Sequence, residues 1–149
     1  MTKKRKKIVF TNGCFDVLHV GHLRLLNFAK SQGDYLVVGL NSDASVSRLK
    51  GLDRPINSFD ERREFLLALS GVDEVLEFPI EGNSDNPLEI IQKLRPDIIV
   101  KGGDYKEHEV IGSSFINSYG GETIIYPFVP GKSTSAIINR IANRNASNK

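Results

Sequence analysis

The sequence predicts an α/β fold: a doubly wound, parallel five-stranded sheet in the order 3-2-1-4-5, with helices on both faces. Five short apolar runs of strand length alternate with segments of helical periodicity, the spacing that right-handed crossovers require. The second run, Y-L-V-V-G-L from Tyr35 to Leu40, is apolar throughout, as a parallel strand covered on both faces must be. The first run passes through a glycine-containing turn straight into a helix, the arrangement found where strand order reverses.

The first strand spans about Lys7 to Thr11, and the helix after it runs from Gly21 to Gln32, with His22, Leu25, Leu26 and Ala29 on one face and Gly33 as its stop. After the Tyr35–Leu40 strand, Asn41-Ser42-Asp43 marks a loop and cap for a short helix to Leu49. Lys50 to Asn57 lacks periodicity, and Gly51 and Pro55 place it in a loop over the carboxyl edge of the sheet. Ser58-x-x-Glu61 is a capping box for a helix to Ser70. Val75 to Phe78 is the third strand, Glu81 to Asn86 a polar loop, and Pro87 opens a helix to Arg95. Ile98 to Lys101 is the fourth strand, Val110 to Tyr119 a helix, and Thr123 to Tyr126 the fifth strand. Ser133 or Thr134 caps a last helix through Ile141, and Asn143 to Lys149 is expected to fray. The sheet is of Rossmann-like type, and its ligand belongs between strands one and four, where Thr11-Asn12-Gly13 meets Lys101-Gly102-Gly103.

With 149 residues, the chain is expected to form a single domain, residues 1–149, with a basic tail over residues 1–7. It is 40% hydrophobic and 26% charged, and no apolar run reaches the ~18 residues of a membrane span. Neither a membrane nor an export signal is expected, and the lone Cys14 suits a reducing, cytoplasmic setting. The net charge of +2 rests on Lys3, Lys4, Arg5, Lys6 and Lys7; without them the chain is slightly acidic, so no nucleic-acid partner is expected.

Chemistry concentrates in His19-x-Gly21-His22. Rings at i and i+3 lie on one face of a first helical turn, where unpaired N–H groups and the helix dipole favour an anion, so phosphate chemistry is expected. A dinucleotide fingerprint is absent, since T-N-G-C-F-D stands where Gly-x-Gly-x-x-Gly is required. Gly131-Lys132-Ser133-Thr134 imitates the end of a P-loop, but Tyr126 occupies the position of the first glycine and the segment follows the last strand. His19, His22, Cys14 and His108 make a poor zinc set, so no metal site is expected in the protein. Cys14 reads as a small buried residue with no base paired to it.

Thr11 to His22, T-N-G-C-F-D-V-L-H-V-G-H, resembles the signature of the cytidylyltransferase-like nucleotidyltransferases. The stretches Asn41–Gly51, Arg54–Arg63, Arg95–Tyr105 (with K-G-G-D-Y) and Gly131–Ile138 are similar to one branch, the adenylyltransferases of ADP-heptose synthesis. That resemblance implies AMP transfer from ATP to D-glycero-β-D-manno-heptose 1-phosphate with release of pyrophosphate. It implies His19, His22, Lys50 and Arg62 as catalytic groups around the phosphates. It implies Thr11, Asn12, Gly13, Phe15, Asp16, Gly21, Lys101, Gly102, Gly103, Asp104, Ser133 and Thr134 as the nucleotide-binding set. Mg²⁺ accompanies ATP in this reading, a homodimer is suggested, and a separate sugar kinase supplies the sugar 1-phosphate. Two rivals stay open: a cytidylyltransferase acting on glycerol 3-phosphate or another phospho-alcohol, and a non-catalytic nucleotide-binding module.

Overall fold

A computed structural model describes residues 2–80 and 84–148; part of the expected Glu81–Asn86 loop therefore lies outside the described residues. The strands are β1 (Ile8–Gly13), β2 (Tyr35–Asn41), β3 (Glu74–Phe78), β4 (Ile98–Gly102) and β5 (Glu122–Tyr126). They form one sheet in the order β3-β2-β1-β4-β5 with every neighbouring pair parallel, as the alternation of runs implied.

Side chains of a strand alternate between faces, and this period of two divides the core. Val9, Leu36, Val38, Leu40, Ile98 and Val100 share one buried cluster with Leu26 and Ala29 of α1 (Val20–Ser31) and Leu66 of α3 (Phe59–Ala68). Phe10, Val37 and Ile99 point to the other face, against Ile90 and Ile91 of α4 (Leu88–Leu94) and Ile116 of α5 (Ser113–Asn117). Between β2 and α3 lies α2 (Asp43–Lys50), capped by Ser42, whose Oγ accepts from the Ser45 N–H. Ser58 and Glu61 form the expected capping box of α3.

Three expectations need correction. The helix foreseen over Val110–Tyr119 shrinks to the five residues of α5, preceded by a 3-10 turn at Glu107–Glu109. The cause is Gly112, held at φ +91°, where the left-handed backbone stops a helix from passing through. At α4, Pro87 precedes the helix, and the Asn86 side chain accepts from the Leu88 N–H. Third, the carboxyl-terminal segment does not fray at Asn143: α6 (Thr134–Ser147) continues to Ser147, whose Oγ donates to the Asn143 carbonyl. Ala142, Arg144 and Ala146 favour the helix and no Gly or Pro interrupts it. No residue of α6 is buried, so composition rather than packing carries it. At the other end, Arg5 pairs with Asp97 and the Lys7 N–H donates to Asp34, which fastens the end of the basic tail.

Candidate active site

β1 and β4 pair through only two register positions, Val9 with Ile98 and Phe10 with Ile99, whereas β1 stays paired with β2 as far as Gly13. The strand ends therefore part at the topological switch point, and a cavity of about 640 Å³ opens there. It has the size and position of a nucleotide site in an open α/β sheet.

One wall is the start of α1. His19 is its N-cap in extended conformation, and its Nδ1 accepts from the Gly21 N–H at 3.1 Å. The Nδ1 of His22 accepts from the His19 N–H at 3.3 Å, so the two imidazoles form a reciprocal cap that ordinarily uses Ser and Glu. With Nδ1 occupied as acceptor, Nε2 must carry the proton of each neutral ring, which gives both histidines an Nε2–H donor. The rings stack with centroids 3.8 Å apart and 27° between planes. Burial, then the neighbouring His19, lowers the His22 pKa to about 4. Burial and then Lys132 lower that of His19. Both are therefore neutral donors near pH 7. Gly21 is required between them, since a Cβ there would lie 2.8 Å from the His19 ring. Phe15 backs His22 with ring centroids 5.0 Å apart, and its φ of 44° is a left-handed strain held at the turn.

Behind the turn lies a buried ionic frame. Asp16, 2% exposed, accepts from Arg54 Nε at 2.6 Å and from the Ile56 and Asn57 N–H groups, while Asn57 Nδ2 donates to the Asp16 carbonyl. Burial pushes the Asp16 carboxyl up, but the Asn57 and Ile56 N–H groups and the Arg54 guanidinium outweigh it and hold it below the usual carboxylate range. Asp16 thus shapes the pocket by anchoring the 54–57 loop. Arg62 is 1% exposed and donates to the carbonyls of Asn57 (3.0 Å), Cys14 (2.8 Å) and Asn41 (2.9 Å) and to Asp43 Oδ1 (2.8 Å).

The expectation that Arg62 contacts phosphate is corrected by this geometry. Four of its five N–H groups donate to the protein, and it does not line the cavity. Thr11 is likewise not a pocket residue: it is fully buried in the sheet, with an Oγ1 that has no partner. Gly103 sits beneath the Phe128 and Tyr105 rings, and Asp104 is exposed; neither lines the cavity. The other expected residues do line it: Asn12, Gly13, Phe15, Asp16, His19, Gly21, His22, Lys50, Lys101, Gly102, Ser133 and Thr134.

Elsewhere in the lining, Lys50 ends α2 and Lys101 stands in β4, with its ammonium 5.5 Å from the Tyr105 ring centroid. Burial lowers the Lys101 pKa; the Cys14 thiol opposes this and Lys50 adds to it. Burial also raises the Cys14 thiol against the pull of Lys50, Arg62 and Arg54, so it stays protonated and unreactive at neutral pH. At the start of α6, Ser133 Oγ accepts from the Ala136 N–H and keeps its own proton free. Thr134 Oγ1 donates to the Val17 carbonyl at 2.9 Å, so its proton is used to tie α6 to the β1–α1 turn. Sequence reasoning named neither Arg54 nor Lys132 as a site residue, although each lies in a stretch similar to the adenylyltransferase branch, Arg54 before a proline in a loop and Lys132 within the P-loop imitation. Phe128, 65% exposed at the cavity, carried no periodic signal at all.

The profile of the cytidylyltransferase-like family matches residues 10–140. The bifunctional protein HldE of Syntrophotalea carbinolica is 52% identical over 142 residues, covering 95% of this chain and 28% of that protein. HldE of Geobacter metallireducens is 53% identical over 136 residues, covering 91% of the chain and 27% of the relative. The chain thus spans little more than a quarter of the length of these relatives. Among solved structures, a lipopolysaccharide core biosynthesis protein from Thermoplasma volcanium superposes with a TM-score of 0.65 at 28% identity, covering 84% of this chain and 98% of that one.

Proposed function

The chain belongs to the cytidylyltransferase-like family, and we propose that it transfers AMP from ATP to a sugar 1-phosphate, D-glycero-β-D-manno-heptose 1-phosphate, giving ADP-heptose and pyrophosphate. The observation that carries this reading is the pair of neutral, stacked histidines whose Nε2–H groups are left for a ligand at the strand crevice. The HldE relatives and the lipopolysaccharide core biosynthesis protein support the sugar-nucleotide direction. A sugar kinase is the upstream reaction that supplies the acceptor.

A phosphate oxygen of the sugar 1-phosphate attacks the α-phosphorus of ATP. The new P–O bond forms as the bond from the α-phosphorus to the α,β-bridging oxygen breaks, and pyrophosphate leaves with that electron pair. The nucleophile is already anionic, so no general base is needed, and the work is alignment and fixed electrostatics. His19 and His22 donate to phosphate oxygens, Lys50 and Lys101 offset charge elsewhere in the lining, and the α6 N-terminus with the Ser133 hydroxyl adds donors. Among the described residues no group of three or more His, Cys, Asp or Glu is arranged to hold a metal. Of the carboxylates lining the cavity, Asp16 is engaged by Arg54, Asp85 by Arg48, and Glu109 accepts from the Lys106 N–H. This donor set takes phosphate oxygens rather than a bare cation, so Mg²⁺ enters as part of the substrate, coordinated by the triphosphate.

Pyrophosphate release is to be measured with ATP or CTP against heptose 1-phosphate or glycerol 3-phosphate. Turnover is expected only with ATP and the heptose phosphate, and His22→Ala is expected to lower kcat by about 10²- to 10³-fold while remaining folded. CTP turnover on glycerol 3-phosphate would overturn the substrate reading, and a folded, fully active His22→Ala protein the role of the histidines.

A further inference from the structure

We infer that Lys132 is a pyrophosphate-binding residue: the cation that holds the departing β- and γ-phosphates at the histidine end of the cavity. The inference rests on the nucleotidyl-transfer reading and deepens it. Three features of the fold support it.

First, the cavity cations are unequally committed. Arg54 is bound to Asp16, and Arg62 lies outside the cavity lining with four of its five N–H groups bound to the protein. Lys50 acts on both the Cys14 thiol and the Lys101 ammonium, and Cys14 acts on Lys101, so these two lysines share one part of the cavity. Lys132 lines the cavity, is exposed, and pairs with no carboxylate among the described residues. It is the cation whose charge is felt by His19.

Second, its backbone is fixed. The Lys132 N–H donates to the Val129 carbonyl across a tight turn in which Gly131 has φ +71°. Two residues later Thr134 bonds to Val17, in the turn that leads into α1. The Lys132 stem therefore starts from a point pinned against the β1–α1 turn rather than from a free loop.

Third, the leaving group needs it. Breaking the bond between the α-phosphorus and the bridging oxygen delivers an electron pair, and with it a unit of negative charge, to pyrophosphate. Neutral His19 and His22 and the N-termini of α1 and α6 offer donors and partial charge, but no full positive charge. An ammonium beside them adds the protein's own full charge to that of the Mg²⁺ accompanying the triphosphate, without demanding that either stacked imidazole be protonated.

The test uses magnesium pyrophosphate as the probe, binding to the free chain by calorimetry, with Lys132→Met and Lys132→Arg compared with wild type. The expected result is about a tenfold loss of pyrophosphate affinity in Lys132→Met, with Lys132→Arg within about threefold of wild type. In the same Lys132→Met protein the His19 imidazole, followed by NMR, is expected to titrate at higher pH, a readout that a purely structural lysine would not move. Unchanged pyrophosphate affinity in Lys132→Met, or no pyrophosphate binding by wild type, would overturn the assignment. Loss of affinity in a chain that turns over no heptose phosphate would instead overturn the acceptor reading and leave Lys132 in place.

Discussion

Arg62→Gln removes the guanidinium that ties three backbone carbonyls together and leaves an uncharged polar side chain in its place. In the native fold those carbonyls belong to Cys14 on the β1–α1 turn, Asn41 at the end of β2 and Asn57 before α3. The fourth bond goes to Asp43, which is 52% exposed on its side chain and can be rehydrated, so it counts for little. Glutamine has two N–H donors and a shorter reach, so at least one buried carbonyl is left without a partner, at about 1–3 kcal/mol. Hydrogen bonds from a charged donor are worth about 1.5–3 kcal/mol each, so losing most of this set costs about 3–5 kcal/mol in all. For a chain of this length that lowers Tm by on the order of 10 °C. The assay is thermal unfolding followed by circular dichroism, with turnover measured well below the midpoint. A phosphate-contacting arginine behaves differently: its loss leaves Tm in place and removes activity. An Arg62→Gln protein with an unchanged Tm and a hundredfold lower kcat would refute the structural role argued here.

Three further outcomes are expected. With the folded His22 pKa near 4 against 6.5 unfolded, the stability tied to neutral His22 is complete above 6.5 and is lost as pH falls toward 4. Relative to His22→Gln, wild type should lose about 2 kcal/mol between about pH 7.5 and about pH 5 in urea titrations, and equal losses would remove the burial argument. Gly21→Ala forces a methyl to within 2.8 Å of the His19 ring, so kcat should fall by about tenfold or more as the ring swings off its cap; wild-type turnover would show that the stacked pair tolerates displacement. Thr11→Val exchanges a buried hydroxyl without a partner for a methyl and is expected to be neutral or to stabilise by up to about 1 kcal/mol in the same titrations. A clear loss would mean that the hydroxyl is bonded in solution.

The sheet order was legible because it follows from local facts: apolar runs of strand length, crossovers of helical period, and a glycine turn at the end of the first run. The histidine turn was legible for the same reason, since its geometry is set within four residues. Arg62 was not. The resemblance set it among the groups around the phosphates, but its acceptors lie 5, 21 and 48 residues away. No pattern in the sequence says that three chain segments will bring their carbonyls to one guanidinium. The resemblance set Asp16 at the pocket; the structure places it in the cavity lining, held by a buried pair with Arg54 that depends on a loop 38 residues downstream. The α6 tail misled in the opposite sense: its place at the end of the sequence suggested fraying, while Ala142, Arg144 and Ala146 sustain the helix as far as Ser147.

The basic residues near the cavity divide into two kinds, and the division bears on how the site works. Arg54 and Arg62 are nearly out of solvent and are paired with Asp16 and Asp43, so they hold the walls in place. Lys50, Lys101 and Lys132 line the cavity without a carboxylate partner among the described residues. Two neutral imidazoles stand between these groups with Nδ1 held by the backbone, so their donors are aimed before substrate arrives. Protonating both rings at a 3.8 Å stacking distance would set two cations against each other in a partly buried place. The arrangement avoids that cost by assigning full charge to flexible lysines and direction to rigid neutral rings. A polyanion is thereby attracted by the first and oriented by the second, which is the separation of tasks that an in-line displacement between two phosphates calls for.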